Sequence, residues 1–498
     1  MRLRERDIEI HDDGAYRRSQ ELFRADDILL PTFAELADPR RIPLEIEAAL
    51  DGVDPDEPDP RNLFRAHWYN ADDRRARVDV PGHLLLGEEL TGVRAPIYVL
   101  LGDRFPIVRS HKLLSTYGSL AQRIVSGRFD PRRHRAVWPS TGNFARAGVA
   151  LSRILGYEST VILPSTASAG HVRWLEDWID DPDSVVRTSG TESDVKAISD
   201  AALGLAENPD VCVFDQFGDY GNYLAHAHCT SAALGRVFEA ARRSHPGLEL
   251  SYFVAATGSA GTLGAGDALK EHYGTRICAV EALQCPTMLR GGYGSHRIHG
   301  IGDHHIPLIH NVMNTDLVCA VSDKSTDRLA VLFDTDTGRE WLTQDRGLAY
   351  AAVQQLIHLG ASSIANVLAA IRLARTLDLG PEQAILTVAT DNSEMYGSEV
   401  LHVLERDFPL GFHRSDAAAI FEQHLATEVE GTVLELDEAE RTRIFNLGYF
   451  TWVESGRVAS ADFEVRRSPD FWRGVRQSVG AWDERIAAFN AEVRSLTV

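Results

Sequence analysis

From about residue 95 onward the sequence repeats one unit: a short apolar run rich in β-branched residues, a glycine-containing turn, and a stretch with helical hydrophobic period. The runs are Ile97–Leu101, Ala136–Trp138, Thr160–Leu163, Val211–Phe214, Leu250–Ala256, Ile277–Glu281, Leu317–Val321 and Ile385–Ala389. Helical periods follow most of them, over Ala145–Leu155, Val172–Ile179, Ser231–Arg243, Leu263–His272, Arg328–Leu332 and Ile364–Thr376. Strands alternating with helices predict βαβ units, and so an α/β fold whose mostly parallel sheet is covered on both faces. In such sheets ligands collect at the carboxyl ends of the strands, which makes the turns there the place to look for chemistry.

The flanks have a different texture. Residues 1 to about 90 are polar, acidic and proline-punctuated, with one helical stretch and no alternating strand pattern, and are read as an N-terminal extension lying over the core. Beyond about residue 400 the pattern is polar-helical with aromatic clusters such as Phe445–Trp452 and Phe471–Trp482. Aromatic residues at that density are more often buried than exposed, so the tail is expected to dock on the core as a helical appendage.

Composition narrows the function classes. The 498 residues include 51 Lys+Arg against 72 Asp+Glu, a formal charge of −21, which disfavours phosphate backbones and anionic membranes as partners. The five cysteines (Cys212, Cys229, Cys278, Cys285, Cys319) form no CxxC pair, which fits reduced thiols better than a disulfide framework or zinc site. The charged N-terminus lacks an apolar signal core, and no run reaches the ~18 apolar residues of a membrane span, so a soluble cytoplasmic protein is expected. Only Lys112, Lys196, Lys270 and Lys324 are lysines. Chemistry that requires a primary amine therefore has four candidates.

Three turns carry the chemical signal. Ala255–Gly266 (AATGSAGTLGAG) joins a strand to a helix, and its small residues let backbone N–H groups close round an anion at the positive end of the helix dipole. It lacks the GK[ST] of a P-loop and the spacing of a dinucleotide fingerprint, and taken alone it also fits a tight structural turn. Trp138–Arg146 (WPSTGNFAR) offers Ser140, Thr141 and free backbone donors to a carboxylate and Asn143 to a ring oxygen, or else is an ordinary helix cap. Phe105–Leu114 (FPIVRSHKLL) sets Lys112 beside an apolar run, where a desolvated amine has a depressed pKa and forms Schiff bases; a surface lysine at a helix start is the other reading.

Together, and in this chain order, the three turns resemble the fold-type II pyridoxal phosphate enzymes, the group of cysteine synthase, cystathionine β-synthase, threonine dehydratase and the tryptophan synthase β chain. The resemblance covers roughly residues 95 to 400. It implies that Ser110-His111-Lys112 is the motif whose lysine forms the internal aldimine. Ser140, Thr141 and Gly142 then grip the substrate carboxylate, with Asn143 on the cofactor's 3′ oxygen. Gly258, Ser259, Ala260, Gly261 and Thr262 form the phosphate cup. Gly300–Pro307 (GIGDHHIP) resembles the family's Gly-Ile-Gly segment, Ser362 in Gly360–Ala365 matches the serine on the pyridine nitrogen, and Gln216, followed by Phe217 and Asn222, is a carboxylate contact.

Several expectations follow from the resemblance. The fold has two lobes, each an open twisted, mostly parallel sheet flanked by helices. A large cofactor-binding lobe is formed by 91–117 and 230–400, a small mobile lobe by 118–229, and the extensions by 1–90 and 401–498. The cofactor is pyridoxal 5′-phosphate, the substrate a small amino acid, and the assembly a homodimer. The reaction is β-elimination or β-replacement through a Lys112 aldimine and an aminoacrylate. A threonine/serine dehydratase-like ammonia-lyase, a racemase and a non-catalytic binding or regulatory subunit are the alternatives. Two positions depart from the family pattern: Phe144 replaces a small hydroxyl residue, and Ala260 replaces a glycine of the cup, a change expected to be sterically mild.

The remaining candidates are weaker. His296, His299, His304, His305 and His310 cluster in sequence but lack a carboxylate or cysteine at ligand spacing, so no metal is expected. His111 is either a proton relay or a packing group, Cys285 reads as a buried thiol, and Tyr396, just after the last predicted strand, is a minor active-site candidate.

Overall fold

The computed structural model describes residues 8–140, 142–189, 195–302, 304–427 and 432–495. Its strands form two sheets. The larger, in the order β1-β2-β10-β7-β8-β9-β11, contains β1 (His83–Leu86), β2 (Ile97–Leu101), β7 (Glu249–Ala256), β8 (Arg276–Ala282), β9 (Leu317–Val321), β10 (Gln383–Ala389) and β11 (Val433–Glu435). The smaller, in the order β5-β4-β3-β6, contains β3 (Arg135–Pro139), β4 (Ser159–Pro164), β5 (Val185–Thr188) and β6 (Val211–Val213). The small sheet is wholly parallel, and the large one is parallel except for its edge strands β1 and β11.

All eight apolar runs form strands, and the reason lies in their burial. Every residue of β2 and β9 is buried, as strands covered on both faces require. Side chains alternate between two cores: Tyr98, Leu100, Phe253 and Ala255 pack on one face, and Ile97, Val99, Tyr252 and Val254 on the other. Helix Ala361–Thr376 belongs to the second core, and helices Lys112–Val125 and Leu263–Tyr273 to the first.

The flanks do more than cover the core. β1 lies within residues 1–90 and pairs antiparallel with β2, and β11 lies within 401–498 and pairs antiparallel with β9, so both ends of the chain extend the large sheet. Most of the tail aromatics are buried, Trp472 and Phe489 among them, whereas Tyr449 and Phe450 are exposed. Phe489 of helix Val479–Ser495 sits edge-on to Tyr16 and Phe23 of helix Asp13–Ala25, with ring centroids 5.4 and 5.3 Å away. The Asp483 carboxylate accepts from the N–H groups of Phe33 (2.6 Å) and Ala34 (3.1 Å), so the two extensions cap each other.

Candidate active site

Parallel strands of both sheets point their carboxyl ends at one cleft, and each turn there delivers a functional side chain. β3 runs into Ser140 and, through Asn143, into helix Asn143–Leu155; β6 leads to Gln216; β7 leads to the glycine-rich turn and helix Leu263–Tyr273; β10 leads to Thr390 and Asp391. One cavity brings together Lys112, Ser140, Gly142, Asn143, Gln216, Gly258, Ser259, Ala260, Thr262 and Ser362. Gly261 stands behind that wall, where an added Cβ would lie 2.2 Å from Asn222 Oδ1. Thr141 lies outside the described residues.

Lys112 opens helix Lys112–Val125 after a turn in left-handed backbone, with φ of +60° at Ile107 and +47° at Arg109. A β-branched residue there is strained and persists only where its surroundings hold it. The N-terminal extension supplies the clamp: Pro55 O accepts from Ile107 N at 2.8 Å, and Asp56 faces Arg109 at 3.5 Å. Lys112 Nζ then reaches Gln216 Oε1 (3.2 Å) and Ser259 Oγ (3.4 Å), spanning the small-sheet and large-sheet sides of the cleft. Burial lowers its pKa to about 8 against the opposing pull of the Asp391 charge, so a sizeable fraction of the amine is neutral near physiological pH.

The strongest polar cluster in the cleft is centred on Asp391, a buried carboxylate. It accepts from Asn143 Nδ2 (2.5 Å), Tyr396 OH (2.6 Å) and Thr390 Oγ1 (3.3 Å). Asn143 Oδ1 in turn accepts from Arg146 Nη1 at 2.9 Å and faces His171 Nε2 at 3.1 Å. With Oδ1 so occupied and one N–H given to Asp391, Asn143 keeps its second N–H for a ligand. Burial raises the Asp391 pKa and lowers that of Arg146 to about 10. Ser362 Oγ and Thr390 Oγ1 are 2.7 Å apart and present a neutral hydroxyl pair to the cavity.

The glycine-rich turn fits a phosphate. Among the described residues the backbone N–H groups of Gly258, Ser259, Ala260 and Thr262 have no acceptor, and they ring the N-terminus of helix Leu263–Tyr273. A Cβ on Gly258 would lie 2.8 Å from Gly300 O, so the cup depends on close backbone approach. The cup and the partly buried amine of Lys112 together suit pyridoxal phosphate. Ala260, however, has φ of +63°, a left-handed position that costs a non-glycine residue roughly 1–2 kcal/mol. The replacement is therefore strained and not mild. Ala260→Gly is expected to keep cofactor binding and to raise stability by up to about 1 kcal/mol, read by denaturant unfolding.

Other candidates find their places. Tyr396 and His299 line the cavity, and the Tyr396 ring stands 5.7 Å from that of His299 and 5.5 Å from that of His171. His296 Nε2 lies 2.8 Å from Gly302 O, which ties it to the segment beside the cup. His111 lines the cavity edge-on to His226 (4.9 Å), and burial holds its pKa well below the usual histidine range, so it is neutral. Cys285 is buried, with Sγ 3.7 Å from Thr287 Oγ1. Phe144 is buried against Trp138 at 5.6 Å. Sequence reasoning missed Thr390, Asp391 and His171. The available signal for the first two was their position directly after the run Ile385–Ala389, at the carboxyl end of a predicted parallel strand.

Comparisons with known proteins agree with this geometry. The family model described as "pyridoxal-phosphate dependent enzyme" matches residues 85–391. Cysteine synthase B of Campylobacter jejuni is 33% identical over 202 residues, 40% of this chain and 58% of that protein, so the match spans less than two thirds of the relative. Among solved structures, a hydrogen sulfide-producing enzyme from Fusobacterium nucleatum aligns with a TM-score of 0.52 at 21% identity over 63% of this chain and 96% of that one. An O-acetylserine-dependent cystathionine β-synthase from Helicobacter pylori gives 0.51 at 21% identity over 64% and 94%. A cysteine synthase from Entamoeba histolytica gives 0.52 at 22% identity over 70% and 94%. The structures share the fold, the fold is that of fold-type II, and the chain belongs to the pyridoxal-phosphate dependent enzymes, with pyridoxal 5′-phosphate as its cofactor.

Proposed function

We propose that this enzyme catalyses β-elimination or β-replacement on a small amino acid, with Lys112 as the residue that anchors the cofactor and moves the substrate's Cα proton. The observation that carries the reading is the position of Lys112 Nζ, between Gln216 Oε1 and Ser259 Oγ at the mouth of the phosphate cup. Pyridoxal phosphate, when bound, supplies the electron sink for bond cleavage at Cα. The names of the similar proteins, cysteine synthase B and an O-acetylserine-dependent enzyme among them, point to the same chemistry.

Each side chain has its own part in that chemistry. The free N–H groups of Gly258, Ser259, Ala260 and Thr262 would hold the phosphate, and Asn143, turned by Asp391, would give its remaining N–H to the ring oxygen. Ser140, Thr141, Gly142 and Gln216 receive the substrate carboxylate. Lys112, with a pKa near 8, is matched to giving and taking a proton at neutral pH. Ser362 and Thr390 would offer the ring nitrogen a neutral hydroxyl pair, a setting that would suit loss of a β-substituent. The acting unit is a homodimer in the cytoplasm; light scattering tests the first part.

The deciding assay supplies purified holoenzyme with O-acetyl-L-serine, with and without sulfide. Acetate release that needs sulfide and yields cysteine indicates replacement, and release of pyruvate and ammonia without sulfide indicates elimination. A panel of amino acids that is racemised with every β-substituent retained would overturn the reading. Gln216→Ala is expected to raise KM for the amino acid by about tenfold with kcat changed less, because a hydrogen bond to a charged group contributes about 1.5–3 kcal/mol.

A further inference from the structure

A second chamber, of about 730 Å³, shares His299 and Tyr396 with the site around Lys112. Its small-sheet wall is the segment after β4 together with Arg187 of β5, and its large-sheet wall comes from helices Asp323–Asp334, Ala361–Thr376 and Gly397–Asp407. Two properties define what it takes. A sulfide ion needs about the ~30 Å³ share of one water, whereas volumes of ~300–1,000 Å³ hold organic ligands. The lining is also mostly apolar, with Val172, Ala330, Ile364 and Val400 along its length.

The charges in the chamber divide unevenly between its walls. On the large-sheet side, Arg297 is paired with Asp323 (3.2 Å) and Asp327 (2.9 Å), and Arg406 with Asp327 (3.1 Å) and Asp407 (2.8 Å). Glu399 accepts from Ser398, and burial raises Asp334 to about 7, so its carboxyl is only about half ionised near neutral pH. On the small-sheet side, Arg173 and Arg187 are exposed, and their side chains have neither ion pair nor hydrogen bond among the described residues; Glu176 lies one helical turn from Arg173. An apolar body with a negatively charged end matches a mostly apolar chamber whose small-sheet wall carries two guanidinium groups without an ion pair among the described residues.

We infer that this chamber holds the second substrate of the replacement reaction, an organic thiol with an apolar body and a terminal carboxylate. The inference rests on the β-replacement reading above and specifies its nucleophile. The step balances without a redox partner. The Cβ–O bond of an O-acylated serine breaks and its electron pair leaves on the carboxylate, the thiolate's electron pair forms the Cβ–S bond, and the thiol proton passes to solvent.

The test gives the holoenzyme O-acetyl-L-serine and compares sulfide, 6-mercaptohexanoate and hexanethiol as nucleophiles by acetate release. In parallel, binding of unreactive hexanoate is measured by calorimetry. The expected result is that kcat/KM for 6-mercaptohexanoate exceeds that for sulfide at least tenfold. Ala330→Trp or Val172→Phe, which narrow the chamber from opposite walls, should lower the mercaptohexanoate value at least tenfold more than the sulfide value. Arg187→Gln should raise KM for mercaptohexanoate and not for hexanethiol. Sulfide as the best nucleophile, or narrowing variants that depress both thiols alike, would overturn the inference while leaving the β-replacement reading in place. Hexanoate binding without acetate release from any nucleophile would overturn both, and identify the β-replacement reading as the point of failure.

Discussion

Lys112→Ala is expected to give a folded, colourless protein that holds no covalently bound cofactor and turns over at least about 10⁴-fold more slowly, whereas Lys196→Ala, Lys270→Ala and Lys324→Ala stay yellow. The contrast follows from chemistry that only a neutral primary amine performs, so Lys112→Arg should be colourless as well, because a guanidinium stays protonated. Lys270 serves the fold instead. Its ammonium donates to Asp316 (2.8 Å) and to Asn314 O (2.9 Å) far from the cleft, so its loss reduces stability and not colour. The acid-base state of Lys112 adds a second readout. Capture of added pyridoxal phosphate by the apoenzyme requires the uncharged amine, and burial lowers the pKa from 10.5 to about 8. The rate should therefore rise with pH and level off above about 8. An inflection near 10.5 would mean that the amine is solvated and is not the group described. A yellow Lys112→Ala protein with intact activity would remove the basis of the proposed mechanism.

The sequence predicted the elements that packing dictates and missed those that packing leaves unspecified. The central strands of a doubly covered parallel sheet must be apolar along their whole length, so runs such as Leu317–Val321 announce themselves. β1, β5 and β11 are edge strands of three or four residues, two of them antiparallel additions, and β5 carries the exposed Arg187. Such strands are short and only partly covered, so their few apolar residues make too short a run to stand out as a strand. The same distinction separates the site residues. Lys112, Asn143 and the cup lie in short contiguous motifs, and it is those motifs that carry the resemblance to a known family. Asp391 acquires its role from partners far away in the chain, Asn143 and Tyr396 on different elements, and only the tertiary fold brings them to it. The strain at Ala260 was equally hidden, because a residue's φ cannot be read from its neighbours' names.

Asp391→Ala should produce the second-largest effect, and it separates two contributions that the structure combines. Removing the carboxylate takes away an acceptor shared by the Tyr396 hydroxyl and one Asn143 N–H, and the counter-charge of the neighbouring Arg146 guanidinium, a loss of about 3–5 kcal/mol visible in denaturant unfolding. Asp391→Asn keeps the shape and is the more informative variant. Tyr396 and Asn143 both donate to Oδ2, so an amide oxygen in that place still accepts from both while the charge is lost; it is Asp391→Ala that frees Asn143 to turn, and there kcat should fall about 10- to 100-fold with KM for the amino acid changed less. The charge acts separately from the geometry. Asp391 opposes the depression of the Lys112 pKa, so neutralising it should move the inflection in cofactor capture from about 8 to a lower pH. A purely structural role for Asp391 would lower stability and leave that inflection where it is. Burial also raises the pKa of Asp391 itself, so an inflection that does not move, together with a large fall in kcat, would mean that the carboxyl is protonated in the folded enzyme and orients Asn143 through hydrogen bonding alone.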